Sequence, residues 1–599
     1  MKKNLLSVLI ICLGILLGGS LSAQTWEDLV EEIRGDTLVI KGTSNSSGIL
    51  NTIGTVIKGD TMVTGERNNP NRVYETMPGQ VYISDGPFVF DATVGDLVIT
   101  APRWETDDEV LPPLWIKTVN PEGVFKKNYF HSSDDFYMEN QYILMALLDG
   151  QRDREFGRAF GDNARFEFDH NIFELSNWTF HYPRANHQTF KMTNNLFINV
   201  GYEQSLEKGN VFTSWYVVDT LWMENNTFLN VGNVAHSEEL GLSPSFSYFN
   251  HNTMVNATLP PFVYAGQAEM IVTNNQMINQ SLMPDYPGFY PFLEDPDQLP
   301  KGLINVDTVK AEWIADYWPD GYPVAGESER KVMVDKNNAW WDSRFQEMFD
   351  NQLKPFPDSI DEVWASQMIL MNDRTSAMFA DDEAYPYFVE GEWFNAEPGF
   401  TNNADRVPQW IDYIVANSTP GDPNGGGVNL PWWRTNDQPN ETLVIPDWPP
   451  LADLTYSDAT LETGGVNNYP LGDLNWYPSL KSSWDETGEP AKLIEALKAG
   501  QLLEDWAGVG IEPDELKSDI DQMISVYPNP ANNLLYISSD SELNRVNVYD
   551  VLGQLVKQVD LDRRLNSNLD ISDLNNGVFI LQVETVSGKS SSIKFVKKE

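Results

Sequence analysis

One asparagine, recurring in a fixed apolar frame, constrains this chain more than any other feature. Segments 166–173, 190–197, 221–228, 247–254 and 270–277 each read apolar, any, apolar, two polar, Asn, any, apolar, and Ser247 is the one exception, at a first position. The asparagines are Asn171, Asn195, Asn226, Asn252 and Asn275, spaced by 24, 31, 26 and 23 residues. Segment 332–340 is a later copy with one extra residue and carries Asn337 and Asn338. Alternating apolar positions make half-buried strands. An Asn between two of them suits a sharp turn, because it tolerates left-handed backbone and bonds locally to main chain. Stacked copies let each turn Asn bond its neighbours, so the series reads as a structural ladder rather than a ligand channel. A period of 23 to 31 residues fits three short strands per coil and predicts a right-handed parallel β-helix.

Short β-type runs at 38–42, 55–58, 81–83, 88–90 and 97–100 extend the pattern towards the N-terminus, for about nine to eleven rungs in all. Residues 341–505 break it. Apolar spacing predicts helices over 360–379, 407–415 and 491–499, and between them run Trp- and Pro-rich loops such as Pro431-Trp432-Trp433-Arg434 and segment 469–478. A solenoid end is bare apolar edge, so these loops are expected to cap or wrap the helix rather than form a sugar platform.

The chain begins with a basic pair, Lys2 and Lys3, an apolar run over 5–17, and small residues Ser20, Ser22 and Ala23 before Gln24. Residues 1–23 therefore read as a secretory signal peptide, too short in its apolar run for a membrane span. The single cysteine, Cys12, lies inside that run behind Ile11, which does not suit a lipoprotein site. The exported protein is expected to lack disulfides, thiol nucleophiles, Cys-based metal sites and integral membrane spans.

The last eighty or so residues change character. Segment 506–522 is acidic with Gly and Pro and reads as a linker. Alternating runs at 534–538, 546–549, 554–559, 578–585 and 592–596 follow, separated by turns such as Asn575-Asn576-Gly577, the pattern of a small Ig-like β-sandwich. The run Val526-Tyr527-Pro528-Asn529-Pro530, then Val548-Tyr549-Asp550-Val551-Leu552-Gly553, then Leu574-Asn575-Asn576-Gly577-Val578-Phe579 and the terminal Lys594-Phe595-Val596-Lys597-Lys598 resemble the type A C-terminal sorting domain of the type IX (Por) secretion system. The resemblance implies a Bacteroidota-type cell, engagement of the type IX machinery, export across the outer membrane, and removal of this domain with release or surface attachment. Charge sets it apart. From 523 onward there are eight basic and nine acidic residues, whereas the whole chain has 40 Lys and Arg against 87 Asp and Glu, a net of −47. The cargo is therefore strongly acidic, which excludes nucleic acid as its general partner. The expected plan is a signal peptide over 1–23, a β-helix over 24–340, a mixed loop and helix region over 341–505 continuing it, a linker over 506–523 and the sorting domain over 524–599.

Residues 36–340 resemble, in architecture, the pectate-lyase-like superfamily of pectate and alginate lyases, polygalacturonases, phage tailspikes and non-catalytic adhesins. The resemblance implies a site on one strand face, beside the turn that follows it. No motif of a named catalytic family is met: Asp134-Asp135 lacks the further Asp and the basic motif of a polygalacturonase and reads as solvated loop. The pairs Asp107-Asp108 and Asp381-Asp382 read as surface, although oxygen-rich loops are candidates for Ca²⁺; no metal ligand is identified.

All six histidines lie between 131 and 251, and four of them, His131, His170, His181 and His187, share window 124–191 with eight Lys or Arg and ten acids. That window repels an anionic ligand less than the rest of the cargo. The strand before each Asn-turn strand is expected to bear the site, with candidates at 154–160, 178–182, 212–216 and 262–264. If Phe180 points inward, His181 points outward, because strand side chains alternate. Arg184 and His187 then fall on the following turn, Arg158 on the rung below, and Tyr216 and Tyr264 on rungs above. Rungs about 4.8 Å apart bring such residues to one sugar. The expected catalytic residues are His181, Arg184 and Arg158, and the expected substrate-binding residues His187, Tyr216 and Tyr264. Uronate β-elimination needs a cation at the carboxylate, a base at C5 and an acid for the leaving oxygen, roles open to Arg or Ca²⁺, His or Lys, and Tyr. The plainer reading is that these are exposed polar loop residues. The function expected is an extracellular protein that binds an acidic polysaccharide and cleaves it as a lyase or glycoside hydrolase. The alternative is a non-catalytic adhesin or structural carbohydrate-binding protein.

Overall fold

A computed structural model of the chain describes residues 25–506 and 525–598 except 44–45, 47–48, 91–94, 106–109, 121–122, 148–149, 202–205, 207, 238–242, 264–265, 285–300, 311–313, 315–317, 320–321, 323, 352–365, 402–404, 419–427, 434–447, 451, 528–530, 532–533, 551–554, 573, 575–576 and 586–589. The expected signal peptide and nearly all of the expected linker thus lie outside the described residues. The chain divides into two compact units between Tyr477 and Pro478.

The first unit is a parallel β-helix with three sheets, to which successive coils contribute strands in turn. Among the described residues the first sheet has twelve strands, from Val30–Arg34 to Phe388–Glu390, the second ten, from Val81–Ser84 to Trp393–Phe394, and the third seven, from Phe88–Phe90 to Phe262–Val263. Neighbouring coils pair in register: Phe136, Phe166, Phe190, Leu221, Ser247, Met270 and Val332 stand one above another. That column explains the apolar frame. Each first position points into the core, where Phe166 stacks on Phe190 at 5.0 Å and Phe197 on Phe228 at 5.1 Å. Ser247 keeps its place in the column and is fully buried.

The turn asparagines form a continuous ladder. Each Oδ1 accepts from the backbone N–H and the Nδ2 of the Asn one coil below, from Asn195 to Asn171 (3.0 and 3.2 Å) up to Asn337 to Asn275 (3.0 and 2.9 Å). Each Nδ2 also reaches a strand carbonyl, as Asn226 does with Met192 at 2.8 Å. The left-handed residue is not the ladder Asn but the one before it: His170, Asn194, Asn225, His251, Asn274 and Lys336 all have φ between 50° and 59°. A second row stands four residues on. Asn199, Asn230, Asn256 and Asn279, also left-handed, link Nδ2 to Oδ1 at 3.4, 3.2 and 3.0 Å.

Two local expectations are corrected. Residues 55–58 are helical, not extended. They belong to helix Thr52–Gly59, whose N-cap Asn51 accepts from the Gly54 N–H at 3.0 Å and whose Ile53, Val56 and Ile57 enter the main core. A short apolar run does not distinguish helix from strand by period, and the end of a stack needs a lid. In 360–379 the helix spans only Asp373–Phe379, capped by Asn372, while Ile369 and Leu370 accept backbone bonds from Leu303 and Ile304 and residues 360–365 lie outside the described set. Helix Val407–Asn417 is where its spacing placed it.

The Trp-rich segments wrap the flank of the second sheet. Trp410 Nε1 donates to Asn230 Oδ1 at 3.1 Å and the Trp433 N–H to Asn199 Oδ1 at 2.6 Å. Thr227 Oγ1 donates to Asp473 Oδ2 at 2.7 Å and accepts from Trp476 Nε1 at 2.9 Å. These straps satisfy turn groups that a bare solenoid would leave to water.

The second unit carries helices Pro478–Thr487 and Glu489–Ala499 and a five-stranded antiparallel sheet. The runs expected at 534–538 and 546–549 belong to one strand, Leu534–Asp550, whose register shifts between Ser538 and Arg545. Its first half pairs with 566–570 and its second with 555–560 and 579–584, so the sheet closes over a core of Leu535, Ile537, Val546, Val548, Leu569, Leu581 and Val583.

Candidate functional site

The third sheet follows the parity of its core, and that parity moves the expected site. His181 stands in register with Gly157 below and Phe212 above, an inward column that continues through Phe130 and Ala235. It is 2% exposed and sits among Phe166, Phe168 and Phe190 at 5.4, 5.2 and 4.8 Å. The outward placement of His181 is therefore corrected. Phe180 belongs to the same strand, Thr179–Pro183, and is stacked on Phe156 at 4.8 Å, so two successive side chains of one strand enter the core and strict alternation breaks here. Neither ring nitrogen of His181 has a partner, and burial pulls its pKa down to about 3. A ring sealed among phenyl groups cannot take a proton from a polymer.

The outward row is His131, Arg158 and Tyr182, on three successive coils. Arg158 donates to Glu155 through Nε at 2.5 Å and a terminal nitrogen at 3.0 Å, and Asn128 Nδ2 adds a third bond to that carboxylate at 2.9 Å. Burial opposes the Glu155 charge, and the bonds from Arg158 and Asn128 outweigh it and hold the carboxyl below its ordinary range. His131 lies half-buried with its ring 5.5 Å from that of Phe160; burial, then the Arg158 charge, lowers its pKa, and its Nε2 is shielded and without a partner.

Arg184, on the following turn, lies flat over Tyr182, its guanidinium carbon 4.0 Å from the ring centroid. Tyr182 contacts Trp178 at 5.7 Å and Trp215 at 6.0 Å, and Arg154 covers Trp178 at 3.9 Å. Phe160 and Trp215, 44% and 48% exposed, flank this group on the same edge. The structure thus brings Arg158 and Arg184 to one face around Tyr182. Trp178, Trp215, Phe160, Arg154 and His131 join them; none of these five is among the expected site residues, although the first four lie within the candidate stretches 154–160, 178–182 and 212–216.

The other expected residues stand elsewhere. His187 bonds Asp219 at 3.2 Å and lies 5.1 Å from the ring of Tyr322, whose hydroxyl also donates to Asp219 at 3.1 Å. Tyr216 is half-buried, with its backbone tied to the Ser214 hydroxyl. Tyr264 lies outside the described residues, as does Asp107-Asp108. Among the described residues no three His, Cys, Asp or Glu side chains gather to hold a metal ion, and no helix is long and apolar enough to cross a membrane.

The C-terminal sheet decides a different question. Four of its strands, Ser525–Tyr527, Leu534–Asp550, Gly577–Thr585 and Ser590–Lys597, include described parts of the quoted motif segments in order, and the comparison with family models falls on them. Residues 525–598 match the secretion system C-terminal sorting domain. The sorting domain marks proteins exported by the type IX system to the cell surface or the extracellular space, so this chain is a cargo of that machinery. No curated protein and no solved structure matches the chain significantly. The sorting domain speaks for the address alone, and the activity of the cargo has to be argued from its own face.

Proposed function

We propose that the exported β-helix binds an acidic polysaccharide along the outer face of its third sheet, at the rungs of Arg158 and Arg184. The observation that carries this is the stacked group of Arg184 on Tyr182 between Trp178 and Trp215. Guanidinium groups pair with carboxylate or sulfate in a planar fork, and exposed indole and phenyl faces pack against the C–H faces of sugar rings. The rungs repeat at about 4.8 Å, close to the advance of one sugar along an extended chain, so one ring per rung is a natural register.

Binding is favoured over cleavage. The groups that reach solvent here are cations and rings, while His131 Nε2 is shielded and Tyr182 is buried under Arg184. A general base has to come within hydrogen-bond reach of the proton it removes. In the proposed plan a signal peptide over 1–23 delivers the chain to the periplasm, residues 24–505 form the ligand-binding cargo, 506–523 link it, and 524–599 are read by the secretion machinery.

The test is affinity electrophoresis of the purified protein through gels holding pectate, alginate or a neutral glucan. Retention by an acidic polymer, lost in Arg184→Ala and Trp215→Ala variants, is expected; equal mobility in all gels refutes the reading. Ultraviolet absorbance of unsaturated products, with and without Ca²⁺, is expected to stay flat; a rise would make the protein a lyase.

A further inference from the structure

We propose that a second site, on the opposite flank and independent of the polysaccharide face, takes a single uncharged sugar ring. The site is a cavity of about 290 Å³ where three separate stretches of chain meet: the second-sheet edge at Asn256, Ile278 and Asn279, the turn Trp340–Arg344, and the loops Glu397–Phe400 and Asp405–Val407. That volume lies at the lower edge of the roughly 300–1,000 Å³ of small-ligand sites, which suits one ring rather than a chain.

The floor is part of the second asparagine row. Asn199 and Asn230 are covered by the Trp-rich straps, whereas Asn256 and Asn279 face the cavity. The wall is a pre-set polar frame. Arg344 donates to Asp342 through Nε at 2.9 Å and a terminal nitrogen at 2.6 Å, and to Asp405 at 2.8 and 3.1 Å. Those bonds hold both carboxyls below their ordinary range, so they stay ionised as acceptors. The Val407 N–H at the start of helix Val407–Asn417 is also taken by Asp405, at 3.2 Å. Trp340 and Phe400, each half-buried, supply aromatic faces, and exposed Glu397 adds a third carboxylate.

Charge decides the ligand class. Asp342, Asp405 and Glu397 stand against Arg344 and Arg406, and Arg344 already serves two carboxylates. An anionic sugar meets net repulsion and a guanidinium already engaged, so uronates are excluded. Fixed carboxylate and amide acceptors beside an aromatic face are what the O–H groups and C–H face of a neutral sugar need. Because the frame is already bonded, little ordering accompanies binding.

The test uses the full chain with glucose, galactose, mannose and xylose, and with glucuronate and galacturonate, read by saturation-transfer NMR and tryptophan fluorescence. At least one neutral sugar is expected to bind saturably in the millimolar range, and the uronates at least about tenfold more weakly. Trp340→Ala should abolish that binding while leaving retention in acidic gels unchanged, which separates this site from the third-sheet face. Glu397→Gln, at an exposed position, should weaken it severalfold without moving the unfolding midpoint, and so serves if Trp340→Ala fails to fold. Uronates binding as well as neutral sugars, no saturable neutral sugar, or a Glu397→Gln variant indistinguishable from the parent would each overturn the proposal.

Discussion

The buried histidines make the cargo acid-sensitive, by an amount the structure allows one to work out. His181 and His236 are fully enclosed; burial comes first in each, with Lys208 and Lys301 adding to it at His236, and both pKa values are pulled down to about 3. Unfolded, each titrates near 6.5. Between about pH 6.5 and 3 the unfolded chain therefore binds more protons than the folded one, so stability is full above 6.5 and falls as the pH drops. From pH 7 to pH 5 the loss is about 1.5 pH units per histidine, on the order of 2 kcal/mol each and about 4 kcal/mol for the pair. His181→Phe isolates one contribution. The phenyl ring suits a site framed by Phe166, Phe168 and Phe190, and it removes two ring nitrogens that have no partner. Urea unfolding of parent and variant, followed by tryptophan fluorescence at pH 7 and pH 5, should show the variant at least as stable at pH 7. At pH 5 it should have lost about 2 kcal/mol less than the parent. Equal losses in the two proteins would refute the inward, neutral assignment of His181.

Other outcomes follow from named contacts. Asn226→Leu strands the Asn195 N–H and the Met192 carbonyl, while Asn252 Oδ1 keeps the residue-226 N–H, and at about 1–3 kcal/mol per group should cost roughly 2–6 kcal/mol in the same unfolding assay. Asn226→Asp keeps the acceptor but sets a charge against two further acceptors and should cost at least as much. Arg158→Ala leaves the buried Glu155 carboxylate without its main partner and should destabilise by about 3 kcal/mol, and Arg158→Ala/Glu155→Gln should recover much of that. Binding of an acidic polymer should strengthen between about 0.02 and 0.15 M salt before it weakens. The Debye length falls from about 20 to about 8 Å, which screens the long-range repulsion of a −47 chain before the contacts at Arg184. Deleting 524–599 should leave folded cargo in the periplasm, checked by cell fractionation, because the core of the sorting domain runs only from Ala531 to Val583; normal export of the truncated chain would count against the address.

The parts of the fold legible in the sequence are those the stack repeats. An in-register solenoid asks the same question of each coil, so the frame around Asn171 to Asn275 exposes strand, turn and inward parity together. The second row, Asn199, Asn230, Asn256 and Asn279, carried an equally regular signal: each follows a ladder Asn by four residues. It is readable in the sequence, but it stands two residues beyond the end of the eight-residue frame. His181 failed for a different reason. Alternation is the rule of a regular strand, and Phe180 and His181 are successive residues of strand Thr179–Pro183 that nevertheless both enter the core. Arg158 reaches the outer face through its register with Tyr182, and Arg184 through its position over that ring. Their aromatic neighbours Trp178 and Trp215 lie on turns, whose side-chain directions no two-residue period predicts.

The same geometry explains how one solenoid can carry two unlike surfaces. A coil of three strands has three flanks, and what covers each is set by what its turns leave unsatisfied. On the second-sheet flank the left-handed asparagines bond one another along the row and use their remaining capacity on the straps, Asn230 Oδ1 on Trp410 and Asn199 Oδ1 on the Trp433 N–H, while Asp473 and Trp476 bond Thr227. The cavity at Asn256 and Asn279 opens in that covering, so its chemistry is amide and carboxylate, fit for hydroxyl groups. Among the described residues the third-sheet flank has no left-handed asparagine row of this kind. There the outward positions fall to Arg158 and Tyr182, with Arg184 from the turn lying over the Tyr182 ring. On the two proposals made above, an uncharged ring and an anionic chain would go to different sides of the same helix by backbone geometry first, and by charge only within the frame that geometry sets.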